Sequence, residues 1–237
     1  MSSTPGDGQD ARPDRRARFG ARAGIFGSVM FVSVLGLQDL LRPGYDWKTM
    51  PASADSLGPH GWIQIASFVV TGTCILLFAW GAAGAFPRDQ ASRWGPRLLG
   101  VLGLCVLGSG PFVMDPPPIA PFSPGSTCHG TVHGVLGAIA FTLMPVCCFV
   151  FHHRFRKVPG WRPFARLSLA TGVVIVLAIF LLKLAQLRLL PDGGGLFQRI
   201  ALVAFFGWVC AFGLQVLREV QPAGPAPRSV GDAGGPR

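Results

Sequence analysis

Apolar residues fall in six runs separated by polar, Gly- and Pro-rich segments. The runs cover about 23–41, 62–85, 97–114, 130–151, 164–189 and 196–217. Each is close to the ~20 residues an α-helix needs to cross ~30 Å of hydrocarbon. The pattern predicts an all-α, polytopic bundle of six transmembrane helices spanning 23–217. Pro145 inside the fourth run is a helix interruption that neighbouring helices can accommodate. Residues 1–22, polar and rich in Gly, Pro, Asp and Arg, are expected to form a disordered basic N-terminal tail. Residues 218–237, rich in Pro, Gly and Ala, are expected to form a disordered C-terminal tail.

The first run follows Arg12, Arg15, Arg16, Arg18 and Arg22, as a secretory signal would. It is 19 residues long, however, and Arg42-Pro43-Gly44-Tyr45-Asp46 follows it instead of a small-residue cleavage site. A retained first helix is the expectation. Charge then orients the bundle. Lys and Arg number five in 1–22, three in 86–97, five in 152–166 and three in 218–237, sixteen in all. The alternate side holds four: Arg42, Lys48, Arg188 and Arg199. The excess of basic residues on one side predicts that both termini are cytoplasmic. No internal repeat period is visible, so an inverted transporter repeat is not supported.

Composition agrees. Half the residues are apolar (50%), mean hydropathy is +0.45, and only 14% are charged, against roughly 25% in a soluble domain. The net charge of +10 would suggest nucleic acid in a soluble protein. Here the basic residues flank apolar runs, so the expected partner is the lipid bilayer and not nucleic acid. Cys74, Cys105, Cys147, Cys148 and Cys210 lie within apolar runs and act as small hydrophobes. Only Cys128 lies near an aqueous face, and no Cys-x-x-Cys occurs. Tyr45, Trp62, Trp94 and Trp161 stand at run ends as interface anchors, while Trp80 and Trp208 are expected to pack inside.

The chemistry-bearing residues gather at one end. Asp39 is in the last turn of the first helix, and Asp115 caps the third. His129 and His133 open the fourth. Lys183 and Gln186 lie near the end of the fifth, and Gln198 and Arg199 open the sixth. All of these are on the predicted outer side. The inner half of each run is almost purely apolar apart from Ser, Thr and Cys. That asymmetry predicts an outward-facing polar cavity closed below by an apolar half. The organising stretch is Asp115–His133, a Pro-rich loop free of Lys and Arg.

Three readings stay open. Asp39, Asp115, His129, His133, Lys183, Gln186 and Arg199 line a site for a small or lipidic ligand, with Lys183 and Arg199 meeting an anionic group. Alternatively His129 and His133, four apart on one helix face, hold zinc with Asp115 and with His60 or Asp39. There is no His-Glu-x-x-His, so the zinc-protease motif is absent. In the third reading Asp115, His133 and Lys183 are a structural polar network that pins the helices, and the rest is interfacial.

Pro43-Gly44-Tyr45-Asp46, Gly61-Trp62, Met114-Asp115-Pro116, His129-Gly130-x-x-His133 and Gly195-Leu196-Phe197-Gln198-Arg199 occur in order along the topology. Together they resemble the DUF998 family of bacterial six-helix membrane proteins over roughly 22–218. The resemblance implies the architecture and a bacterial plasma membrane, and carries no reaction with it. The Pro-rich insert at 116–124 is bulkier than that loop needs and is expected to cover the cavity. A fainter similarity is to seven-helix membrane hydrolases with His-x3-His and Asp on zinc. Without a Gly-rich phosphate loop or a nucleophile elbow, the expected role is non-enzymatic: ligand binding without a cofactor, in transport or sensing. A metal-dependent hydrolase and a structural partner of other membrane proteins are the alternatives.

Overall fold

The structure, a computed structural model, describes residues 11–85, 93–190 and 192–219. Among the described residues it is all helical. The α-helices are α1 (Ala11–Leu41), α2 (Gly61–Ala82), α3 (Trp94–Gly108), α4 (Cys128–Phe155), α5 (Arg162–Gln186) and α6 (Gly194–Glu219), with a short 3-10 turn at Ala52–Ser56. Five of them are long and apolar enough to cross a membrane; α3 is the shorter one. At 15 residues, α3 spans only ~22 Å.

Two helices differ clearly from the apolar runs. The third run was expected to stay helical to Met114, but α3 ends at Gly108. The sequence Gly108-Ser109-Gly110-Pro111 explains the stop, because Gly is a poor helix former and Pro111 has no N–H to continue the ladder. The first helix starts at Ala11 and not at 23. Arg16 ties the extension down: its Nε donates to Trp80 O at 2.8 Å and its guanidinium lies 4.4 Å over the Trp80 ring. Ala17 and Ala21 are buried beside it. Of the predicted tails at 1–22 and 218–237, residues 1–10 and 220–237 lie outside the described residues. α4 runs through Pro145.

Each helix packs on its chain neighbours, and α1 packs on α6, so the helices close into a ring. Small residues set the α1–α2 approach. A Cβ at Gly20 would strike Gly81 Cα at 2.6 Å, one at Gly24 the Phe78 ring, and one at Gly27 Cys74 Cβ. Close backbone approach of this kind is how helices pack in lipid. The outer surface of the ring is apolar: Leu104, Leu177 and Phe180 are more than half exposed, the condition for contact with lipid tails.

The ring has two unlike ends. At the basic end the interior is filled with aromatic side chains. Phe151, Phe155 and Phe78 lie 4.9, 5.2 and 5.1 Å from Phe212, and Phe155 stacks on Trp161 at 4.5 Å. Trp161, read from sequence as an interface anchor, is thus a core residue. Trp208 is buried as expected, whereas Trp80 is half exposed under Arg16. The other end carries the polar residues.

Candidate functional site

At the polar end, Arg199 is the best-connected side chain. It sits one turn into α6 and is buried. Nε donates to Asp39 Oδ2 at 2.7 Å and Nη2 to Asp39 Oδ1 at 2.6 Å, a two-pronged grip on the last turn of α1. Nη1 donates to the carbonyls of Met50 and Gly195, at 2.9 and 3.1 Å, and Nη2 also donates to Tyr45 Oη at 3.0 Å. A guanidinium has five N–H donors, and all are used. Arg199 therefore fastens α6 to α1 and to the 42–57 loop, with no donor left for an anion.

The loop is built to receive it. Gln198 Oε1 accepts from Ala52 N at 2.7 Å, and Leu196 N donates to Lys48 O at 2.9 Å. A Cβ at Gly195 would meet the carbonyls of Met50, Trp47 and Lys48, so only glycine lets the loop lie on the start of α6. Tyr45 Oη donates to Pro51 O at 2.8 Å, and the guanidiniums of Arg42 and Arg199 lie 4.8 and 5.8 Å from the centre of its ring. Arg42 also reaches Asp55 Oδ1 at 3.2 Å. Burial raises the Asp55 carboxyl above its ordinary value, against the opposing hydrogen bond from Arg42.

Burial pushes the Tyr45 phenol from 10.0 up to about 12; the Arg199 hydrogen bond opposes this, and the Asp55 and Asp39 charges add to it. Tyr45 is the only tyrosine in the chain, so tyrosinate absorbance reports it alone. The folded-state value is raised, so the contribution to stability is complete below the unfolded value near 10 and is lost as pH rises through about 12. Folded protein should thus titrate well above the unfolded chain, which should ionise near 10. Coincident titration curves would contradict the buried phenol.

The other predicted site residues do not join this cluster. Asp115 is buried between α3 and α4, and both its oxygens accept from Thr127: Oδ2 from the backbone N at 2.9 Å and Oδ1 from the hydroxyl at 2.7 Å. Thr127 in turn caps α4 by accepting from Gly130 N at 3.0 Å. His133 Nδ1 donates to Phe112 O at 2.7 Å, and the ring of the exposed His129 lies 5.5 Å from that of Phe112. Lys183 and Gln186 bond each other at 3.0 Å on the exposed side of α5. His60 is exposed at the start of α2. Among the described residues no three His, Cys, Asp or Glu side chains are grouped to hold a metal. The Pro-rich loop rests on α4, where Pro121 occupies the space beside Gly134.

A second polar set lies deeper, between the two ends. Gln64, Ser67 and Thr71 follow one another at helical spacing on α2, and Ser28 is at the same depth on α1, next to the Gly27 that packs on Thr71 and Cys74. All four are almost completely buried. Gln38 Nε2 donates to Gln64 Oε1 at 2.7 Å, which joins this column to the polar end. Among the described residues, Gln64 Nε2, Ser67 Oγ, Thr71 Oγ1 and Ser28 Oγ have no hydrogen-bond partner. Other helical hydroxyls close onto their own helix: Thr73 onto Val69 O, Thr142 onto Ala138 O, Ser168 onto Phe164 O. Sequence reasoning passed over this column, although the spacing of 64, 67 and 71 was there to be read.

The sequence profile of the DUF998 family, described as a protein of unknown function, matches residues 25–215. The chain belongs to the DUF998 family. No curated protein and no solved structure matches it. The matched stretch contains the whole of the loop clamp and the buried column. With its five long apolar helices, this DUF998 chain is a membrane protein.

Proposed function

We propose that this DUF998 protein is a six-span protein of the bacterial plasma membrane, both termini cytoplasmic, that binds a small uncharged polar ligand in the outer half of its helix ring. One observation carries the reading: the column of Gln64, Ser67, Thr71 and Ser28 with its four partnerless polar atoms. An unmade hydrogen bond at a buried group costs about 1–3 kcal/mol, and in a membrane interior water does not relieve it. Groups kept at that expense fit a site whose partner is a ligand. The donors and acceptors are neutral, which suits an uncharged molecule. The charged residues are engaged elsewhere: Arg199 on the loop and Asp115 on Thr127. The aromatic fill at the basic end suits binding or sensing better than passage.

The test is stability. Ser67→Ala with Thr71→Val removes two of the partnerless hydroxyls while keeping the Gln38–Gln64 bond. The pair is expected to raise the thermal midpoint of the detergent-purified protein. A lowered midpoint would mean that the hydroxyls hold the fold together, and the ligand-site reading would fail.

A further inference from the structure

The α4–α5 connection is strongly basic, with Arg154, Arg156, Lys157, Arg162 and Arg166 beside His152 and His153. It is also well held. His152 Nδ1 donates to Ala165 O at 2.8 Å, Val158 is buried, and Gly160 takes the left-handed turn at φ 81°. Arg156, Lys157, Arg162 and Arg166 are exposed around it.

Arg154 differs from them. It stands in the last turn of α4 and is half-buried, and its Nε and Nη2 atoms are shut off from solvent with no hydrogen-bond partner among the described residues. Those two nitrogens form one edge of the guanidinium. Arg199 uses the same edge to grip both oxygens of Asp39. At Arg154 the edge meets no acceptor among the described residues. Glu219 lies beside Gly160, but its Oε1 accepts from Gln215 Nε2 at 3.1 Å.

We propose that Arg154, its long side chain turned out to the headgroup level, binds an anionic phosphate group through its Nε–Nη2 edge, within the field of Arg156, Lys157 and Arg162. A planar fork matches two oxygens of one phosphate. The source is either the headgroup of an anionic phospholipid or a soluble phosphate. The position, in the last turn of an apolar helix long enough to span, is the depth at which headgroups sit.

The experiment follows the thermal midpoint of the full chain in uncharged detergent while phosphatidylglycerol, phosphatidylcholine or inorganic phosphate is titrated. Phosphatidylglycerol is expected to raise the wild-type midpoint at lower concentration than phosphatidylcholine. Arg154→Gln is expected to weaken that response about tenfold, the loss of one charge-assisted pair. If inorganic phosphate reproduces the shift and competes with the lipid, the site stands and its ligand is soluble; if only the lipid acts, the ligand is the headgroup. An undiminished response in Arg154→Gln, or equal responses to the two lipids, overturns the proposal. Should Arg154→Gln not fold, Arg154→Lys keeps the charge and removes the planar fork. An undiminished lipid response in that variant overturns it equally.

Discussion

Arg199→Met is expected to cost about 3–5 kcal/mol, the penalty for removing one partner of a buried ion pair. The loss comes mainly from what is left behind. Asp39 would keep a nearly buried carboxylate without its cation, and the carbonyls of Met50 and Gly195 would lose their bonds from the guanidinium. Arg199→Lys should recover little, because an ammonium cannot bond both oxygens of Asp39 in one plane and still reach Tyr45. Asp39→Asn with Arg199→Met should fall less than Arg199→Met alone, since the orphaned charge is gone. Thermal unfolding in detergent measures all three. Tryptic cleavage at the exposed Lys48 gives a local readout, rising if the 42–57 loop comes free. A midpoint unchanged in Arg199→Met would show that the clamp contributes nothing to the fold.

Gly195→Ala is the second large effect, and it leaves every charge in place. Its new Cβ would have to occupy the space of three backbone carbonyls, those of Trp47, Lys48 and Met50. Backbone cannot turn aside as a side chain can, so the loop must lift. Overpacking of this kind costs about 1–3 kcal/mol, and lifting the loop also breaks the Leu196–Lys48 and Gln198–Ala52 bonds. The same rise in cleavage at Lys48 is expected. Gly207→Ala is the control: nothing lies within 4 Å of its Cβ position, so its stability should hold or improve. Equal behaviour of the two variants would contradict the close docking of the loop.

Much of the architecture was legible in the pattern of apolar runs, because a lipid-facing helix has to be apolar along its whole length. The end of α3 was less so. Phe112, Val113 and Met114 are as apolar as the helix before them, and the decisive residues, Gly110 and Pro111, act through backbone conformation. The start of α1 was hidden for the opposite reason: its arginines read as a solvated tail, and only the Trp80 contact shows why they are helical. Asp39 and Arg199 stood out as ionisable residues at helix ends. Their pairing did not, since it joins positions far apart in the chain that meet only when α1 closes on α6. Tyr45 read as an interface anchor because a Tyr at a helix end usually is one. Ser67 and Thr71 were visible but silent. Most helical hydroxyls satisfy themselves on the preceding turn, and no sequence shows which of them do not.

The most direct test of the account is the accessibility of the buried column from outside intact cells. Cys128, the exposed cysteine, is first replaced by Ser. Single cysteines are then placed at Gln64, Thr71 and Arg156, and a small membrane-impermeant thiol reagent is added. The account predicts labelling of Gln64→Cys and Thr71→Cys from outside, slowed when the loop clamp is intact and faster in Arg199→Lys. It predicts labelling of Arg156→Cys only after the membrane is broken. Labelling of Arg156→Cys in intact cells, or none at Gln64→Cys and Thr71→Cys even with the clamp weakened, would contradict an outward-facing polar site.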